Sequence, residues 1–193
     1  MATIVVFHSA LGLTGGTREW AAALAARTAA AGHTVTTPDL FEGRTFADVD
    51  EAVEFVDGYG LPHWVRVAAD ATADLTGPRI YVGFSFGAAI AQVLALTNPD
   101  AAGLVLLSGA MAPSWFEIET WPAGLKGELH YATLDPWMEA DETEALLELA
   151  DGALEVFEYE GARHLFAFSD YREFDAEPAA ELLDRVVAHL LAS

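Results

Sequence analysis

The sequence predicts an α/β fold, a mainly parallel twisted sheet flanked by helices on both faces. Three observations carry this expectation. Strand-like and helix-like segments alternate along the whole of the 193 residues, which is the pattern of repeated βα units. Most strand-like segments are apolar without alternation, as strands buried on both faces are. Finally, Arg79-Ile80-Tyr81-Val82 runs through Gly83-Phe84-Ser85-Phe86-Gly87 straight into Ala88-Ala89-Ile90-Ala91-Gln92, so that strand, sharp turn and helix follow one another without a spacer.

Taken in order, Thr3 to Phe7 reads as a buried strand, and His8 to Gly16 as a loop of small residues. Thr17 is the expected N-cap of a helix that carries Trp20, Leu24 and Arg27 and stops near Gly32, a residue suited to a helix C-terminus. The β-branched run His33 to Thr37 is the second strand, and Pro38 to Arg44 the loop that leaves it. Residues 47–57 and 63–75 read as helices separated by Gly58-Tyr59-Gly60-Leu61-Pro62, since glycine and proline interrupt regular structure. After the central strand the helix runs to Asn98-Pro99, and Gly103 to Ser108 is another buried strand. A longer loop, Gly109 to Gly124, holds Met111, Trp115, Phe116 and Trp121. Glu128 to Thr133 and Leu154 to Tyr159 complete the strands, residues 138–150 and 176–191 the helices. The length and the lack of a linker, repeat or low-complexity segment imply one domain over residues 1–193.

Composition limits the function classes. Hydrophobic residues make up 53 % of the chain, ample for a core, while nine basic residues stand against 30 acidic ones for a net charge of −21. The excess is uneven: residues 100–193 carry twenty of the acids. Most of this charge is expected to form a solvated face; halophilic adaptation and an acidic partner surface are the alternatives. Such a surface repels nucleic acid and anionic membrane, so neither is an expected partner. There are no cysteines, which excludes disulfides, thiolate metal sites and a thiol nucleophile. The N-terminus enters a strand without a basic segment, unlike a signal peptide. No apolar run approaches the length of a membrane span. A cytoplasmic location is the resulting expectation.

Gly83-Phe84-Ser85-Phe86-Gly87 matches G-x-S-x-G in the strand–turn–helix setting of a nucleophile elbow. The competing reading is a glycine-rich turn whose serine only caps the helix. A serine hydroxyl needs a base to accept its proton, and the base needs an orienting acid. In elbow-bearing folds the chain order is nucleophile, acid, histidine. Of the six histidines only His130, His164 and His189 follow Ser85. His130 lies within a strand, its ring directed into a sheet face, and His189 on the surface of the last helix. His164 sits in the loop after the last strand and is the expected base. Asp135, immediately past a strand and before Pro136, is the expected acid. The expected oxyanion donors are the Phe86 N–H at the helix start and the Ala10 N–H in the first loop, with neighbouring Leu11 the alternative to Ala10.

These residues resemble the dienelactone hydrolase family of the α/β-hydrolase superfamily. The resemblance runs from the first strand and its loop through Val35 to Phe41, the elbow and the Asp135-Pro136 turn to His164-Leu165-Phe166-Ala167-Phe168. It implies an α/β-hydrolase core without a large lid, a nucleophile–Asp–His triad, and cleavage of an ester or lactone. The chain departs from the family at three places: Ser85 replaces the cysteine of the founding activity, Ser9 replaces a glutamate before the oxyanion donor, and Arg163 replaces a small residue before the histidine. A general serine esterase acting on a small carboxylic ester, thioester or lactone is therefore expected. A non-catalytic small-molecule-binding protein and an acyltransferase are the alternatives. The expected pocket residues are Leu11, Phe84, Met111, Trp115 and Arg163; Arg18, Arg44 and Arg163 are candidates for holding a substrate carboxylate. No cofactor is expected, and no metal, since no two His, Asp or Glu residues have compelling ligand spacing. The expected assembly is a monomer or homodimer.

Overall fold

The structure, a computed structural model, describes residues 1–192. Its strands are β1 (Thr3–Phe7), β2 (Thr34–Thr36), β3 (Arg79–Phe84), β4 (Ala101–Leu107), β5 (Gly127–Ala132) and β6 (Leu154–Tyr159). They form one sheet in the order β2-β1-β3-β4-β5-β6, and every neighbouring pair is parallel. Uninterrupted apolar runs suit the central positions: Ile4 to Phe7 and Leu104 to Leu107 are completely buried. The short β2 lies at the edge and keeps its residues partly exposed.

The helices are α1 (Gly15–Thr28), α2 (Val49–Asp57), α3 (Leu61–Ala71), α4 (Phe86–Thr97), α5 (Ala140–Ala150) and α6 (Ala176–Ala192). Parallel strands joined through helices cross over with a right-handed turn. The chain steps one way from β1 to β2 and the other way from β3 to β4, so α1 and α4 cover opposite faces. Helix α6 packs beside α1, and α3 beside α4. The direction of winding reverses between β1 and β3, and a crevice at the carboxyl ends of such strands is where open α/β sheets bind ligands.

Local chemistry moves several expected boundaries. The first helix is capped by Thr14, not Thr17: Thr14 is extended and its side chain accepts the Thr17 N–H, while Thr17 is buried inside the first turn. Helix α3 begins at Leu61 rather than residue 63 because Pro62 fits the first turn, where its missing N–H is not needed. It ends at Ala71, where the Thr72 hydroxyl turns back to the Ala68 carbonyl at 2.8 Å. His130 is fully buried in β5, bonded to Tyr159 and Glu128 at 2.9 and 3.0 Å. His189 is not on the open surface: its Nδ1 lies 3.4 Å from Glu128 beneath α6. The apolar face of α6 carries Leu182, Val186 and Leu190 onto the sheet, which draws His189 in with them.

Among the described residues no helix is long and apolar enough to cross a membrane.

Candidate active site

The elbow is a product of packing. Ser85 has φ +53° and ψ −115°, a positive-φ conformation that non-glycine residues seldom adopt and that costs about 1–3 kcal/mol. Close approach on both sides holds it there. A Cβ at position 83 would run into the Gly87 carbonyl, and one at 87 into the backbone of Phe7 and His8. Glycine at both positions therefore lets α4 press against β1 and β3. The Ser85 N–H donates to the Leu107 carbonyl at 2.7 Å, tying the turn to β4. The Ser85 side chain makes no capping bond to α4, so the capping reading of this serine fails.

Its hydroxyl instead reaches His164. Ser85 Oγ lies 2.7 Å from His164 Nε2, and His164 Nδ1 lies 2.7 Å from Asp135 Oδ2. A carboxylate only accepts hydrogen bonds, so Nδ1 carries the ring proton and Nε2 faces the Ser85 hydroxyl as an acceptor. Asp135 is itself held: its Oδ1 accepts the Trp137 N–H at 2.9 Å, and its own N–H donates to Ala132 at 3.0 Å. The Asp135 side chain is completely buried and that of His164 is 6 % exposed, so water competes little for their bond. The three residues follow β3, β5 and β6 and meet at one end of the sheet.

Backbone donors flank the serine. Phe86 is the first residue of α4, and an N–H there has no acceptor within its helix. Leu11 N–H is engaged by Ser9 Oγ at 3.3 Å, whereas Ala10 N–H makes no hydrogen bond within the described residues. His8 shapes this loop. Its Nδ1–H donates to the Ser9 carbonyl at 2.8 Å and its Nε2 accepts the Leu40 N–H at 3.1 Å. Burial drives the His8 pKa below its ordinary value, which keeps the ring neutral and able to make both bonds.

Ser85 and His164 open onto a cleft of about 350 Å³, within the range of small-ligand sites. Ala10, Phe86 and Met111 line it as well. The other expected pocket residues lie elsewhere, each for a local reason. Phe84 points to the opposite sheet face from its neighbours and is buried against Trp20 and Phe168 at 4.9 and 4.6 Å. Leu11 turns into a separate hollow with Phe46 and Tyr171. Trp115 is 67 % exposed and stays outside the wall, its indole N–H bonded to Glu142 at 3.1 Å. Arg163 is directed away from the cleft to Asp175 at 2.9 Å and the Phe174 carbonyl at 3.0 Å, so it braces the loop that carries His164. Arg44 lies over the Phe55 ring and Arg18 is exposed on α1; neither lines the cleft.

Sequence reasoning missed other walls. Val53, Val56 and Leu61 supply an apolar side from α2 and α3. The apolar spacing along residues 49–57 signalled a buried face but not what it faced. Trp137, Glu139 and Glu142 form another side. Trp137 follows the Asp135-Pro136 turn directly, a proximity that was legible. Among the described residues, no three His, Asp or Glu side chains converge to hold a metal ion.

Known proteins bear on this geometry. The model of the dienelactone hydrolase family matches residues 1–192. No curated protein matches the sequence. Among solved structures, a dienelactone hydrolase-like promiscuous phosphotriesterase, P91, from metagenomic libraries superposes with a TM-score of 0.76 at 19 % identity, covering 98 % of this chain and 85 % of its own. A thioesterase domain from the curacin biosynthetic pathway gives 0.63 at 14 % identity, covering 96 % and 90 %. The structure described as LipS and LipT, two metagenome-derived lipolytic enzymes, gives 0.64 at 15 % identity, covering 100 % and 94 %. At such identities the likeness is one of fold, that of the α/β hydrolases.

Proposed function

Since the chain belongs to the dienelactone hydrolase family, we propose that it is a serine hydrolase that cleaves a small carboxylic ester, thioester or lactone through an acyl-enzyme. The observation that carries this reading is the unbroken chain from Ser85 Oγ through His164 to Asp135, with both links at 2.7 Å.

The steps follow from that chain. His164 Nε2 takes the hydroxyl proton as Ser85 Oγ bonds to the substrate carbonyl carbon. Asp135 holds the ring in the tautomer this requires and stabilises the imidazolium. The tetrahedral oxygen is received by the Phe86 and Ala10 N–H groups, the former helped by the positive end of α4. The imidazolium returns its proton to the leaving oxygen or sulfur as the bond to carbon breaks. Water then attacks the acyl-enzyme with His164 again as base, releasing the acid and restoring Ser85. Cysteine is absent from the chain, so the attacking atom is oxygen.

The test is Ser85→Ala. Turnover of p-nitrophenyl acetate falls by about 10⁴-fold or more, and labelling by a fluorophosphonate probe disappears. Unchanged labelling would remove Ser85 from the reaction; a wild-type protein that binds esters yet never acylates would favour a binding role.

A further inference from the structure

We propose that this cleft selects ammonium-bearing esters or thioesters and disfavours carboxylate-bearing ones. The proposal rests on the serine-hydrolase reading and deepens it.

Three carboxylates, Asp57, Glu139 and Glu142, line the same cleft as Ser85 and His164, and no arginine or lysine does. None of the three forms an ion pair among the described residues. Glu142 is held in place by neutral donors, the Trp115 indole N–H at 3.1 Å and the Ala112 N–H at 3.4 Å. Those bonds orient its carboxylate without neutralising it. The three arginines considered for a counter-charge lie outside the cleft: Arg163 pairs with Asp175, Arg44 lies over the Phe55 ring and Arg18 is exposed on α1.

An aromatic surface lies beside the acids. Trp137 is 44 % exposed, lines the cleft, and its ring centre is 5.9 Å from that of His164. An indole face attracts a cation through its quadrupole. An ammonium group a few bonds from the scissile carbonyl, seated at Ser85, thus meets an aromatic face and unpaired carboxylates. A carboxylate in that position meets like charge only. The same field favours departure of the acid product, which is an anion. Each exposed carboxylate contributes about 1.5- to fivefold to such discrimination, and the indole a similar factor. Together they amount to a preference on the order of tenfold for a cation over its neutral isostere.

The test compares three thioesters of equal length by thiol release: acetylthiocholine, the uncharged S-(3,3-dimethylbutyl) thioacetate and the anionic S-acetyl-3-mercaptopropionate. At about 0.01 M salt, where screening reaches out to about 30 Å, kcat/KM falls in the order cation, neutral, anion. At about 1 M, where screening sets in at about 3 Å, the spread contracts. Glu139→Gln alone, at an exposed position, lowers the cation-to-neutral ratio, and Glu139→Gln with Glu142→Gln lowers it by about threefold or more. Glu155→Gln, on β6 and away from the cleft, makes the same change in net charge as the single variant and leaves the ratio intact. Equal rates for cation and neutral compound, a faster anion, or an equal effect of Glu155→Gln overturns the selectivity while fluorophosphonate labelling persists. No thiol release from any compound together with no labelling overturns the serine-hydrolase reading, and the selectivity with it.

Discussion

Replacing Asp135 by asparagine preserves size and shape while reversing one hydrogen bond. Asp135 now accepts twice, from His164 Nδ1 at 2.7 Å and from the Trp137 N–H at 2.9 Å. An asparagine offers one accepting oxygen and one donating nitrogen. With the oxygen on Trp137, its NH₂ faces Nδ1 and drives the ring proton to Nε2. The Ser85 hydroxyl, 2.7 Å away, then meets a donor instead of an acceptor and cannot be deprotonated. With the amide turned over, NH₂ opposes the Trp137 N–H and strands two donors in a buried site. The first arrangement prevails because it leaves no donor unsatisfied. The expected loss in kcat for p-nitrophenyl acetate is about 10⁴-fold, or about 5 kcal/mol of transition-state stabilisation. KM changes little, because Asp135 does not line the cleft. Far-UV circular dichroism controls for folding. A folded Asp135→Asn protein within about tenfold of wild-type kcat would refute the assignment, since a tautomer that mattered could not be reversed so cheaply.

Phe84 and His8 yield two further tests. Phe84→Ala empties a site packed between Trp20 and Phe168 and costs about 3–5 kcal/mol, lowering the thermal midpoint by about 10 °C, while the order of preference among p-nitrophenyl esters of different chain length is kept. A normal midpoint with an altered chain-length preference would return Phe84 to the pocket. Burial depresses the His8 pKa below its ordinary 6.5, so the unfolded chain binds the proton more tightly; the stability contributed by neutral His8 is complete above that value and is lost as pH falls below it. Urea midpoints between pH 7.5 and 5.5 therefore decline more in wild type than in His8→Gln, which bonds similarly but does not titrate; parallel curves would contradict this.

Where sequence and structure agree, the information is local. An uninterrupted apolar strand, two glycines about a serine and a helix former behind them suffice to specify an elbow, because backbone sterics within five residues demand it. Asp135 and His164 were legible too, since each follows a strand and all parallel strands deliver their ends to the same sheet edge. Short-range signals misled where a competing local bond was invisible: Thr14 outbid Thr17 as the α1 cap. Side-chain direction was another matter. Phe84 and Phe86 flank the same serine, yet one enters the core and the other the cleft, because Phe84 ends β3 while Phe86 lies beyond the sharp turn at Ser85, as the first residue of α4. Arg163 adjoins His164 but turns toward Asp175, a partner whose position depends on how the loop after β6 closes. The charge of the cleft was likewise decided only in three dimensions. The sequence by itself determined the elbow motif about Ser85, the chain order in which Asp135 and His164 follow it, and an acidic total. The tertiary structure decided that Asp57, Glu139 and Glu142 from separate helices and loops stand around one serine, since that depends on contacts between residues far apart in the chain.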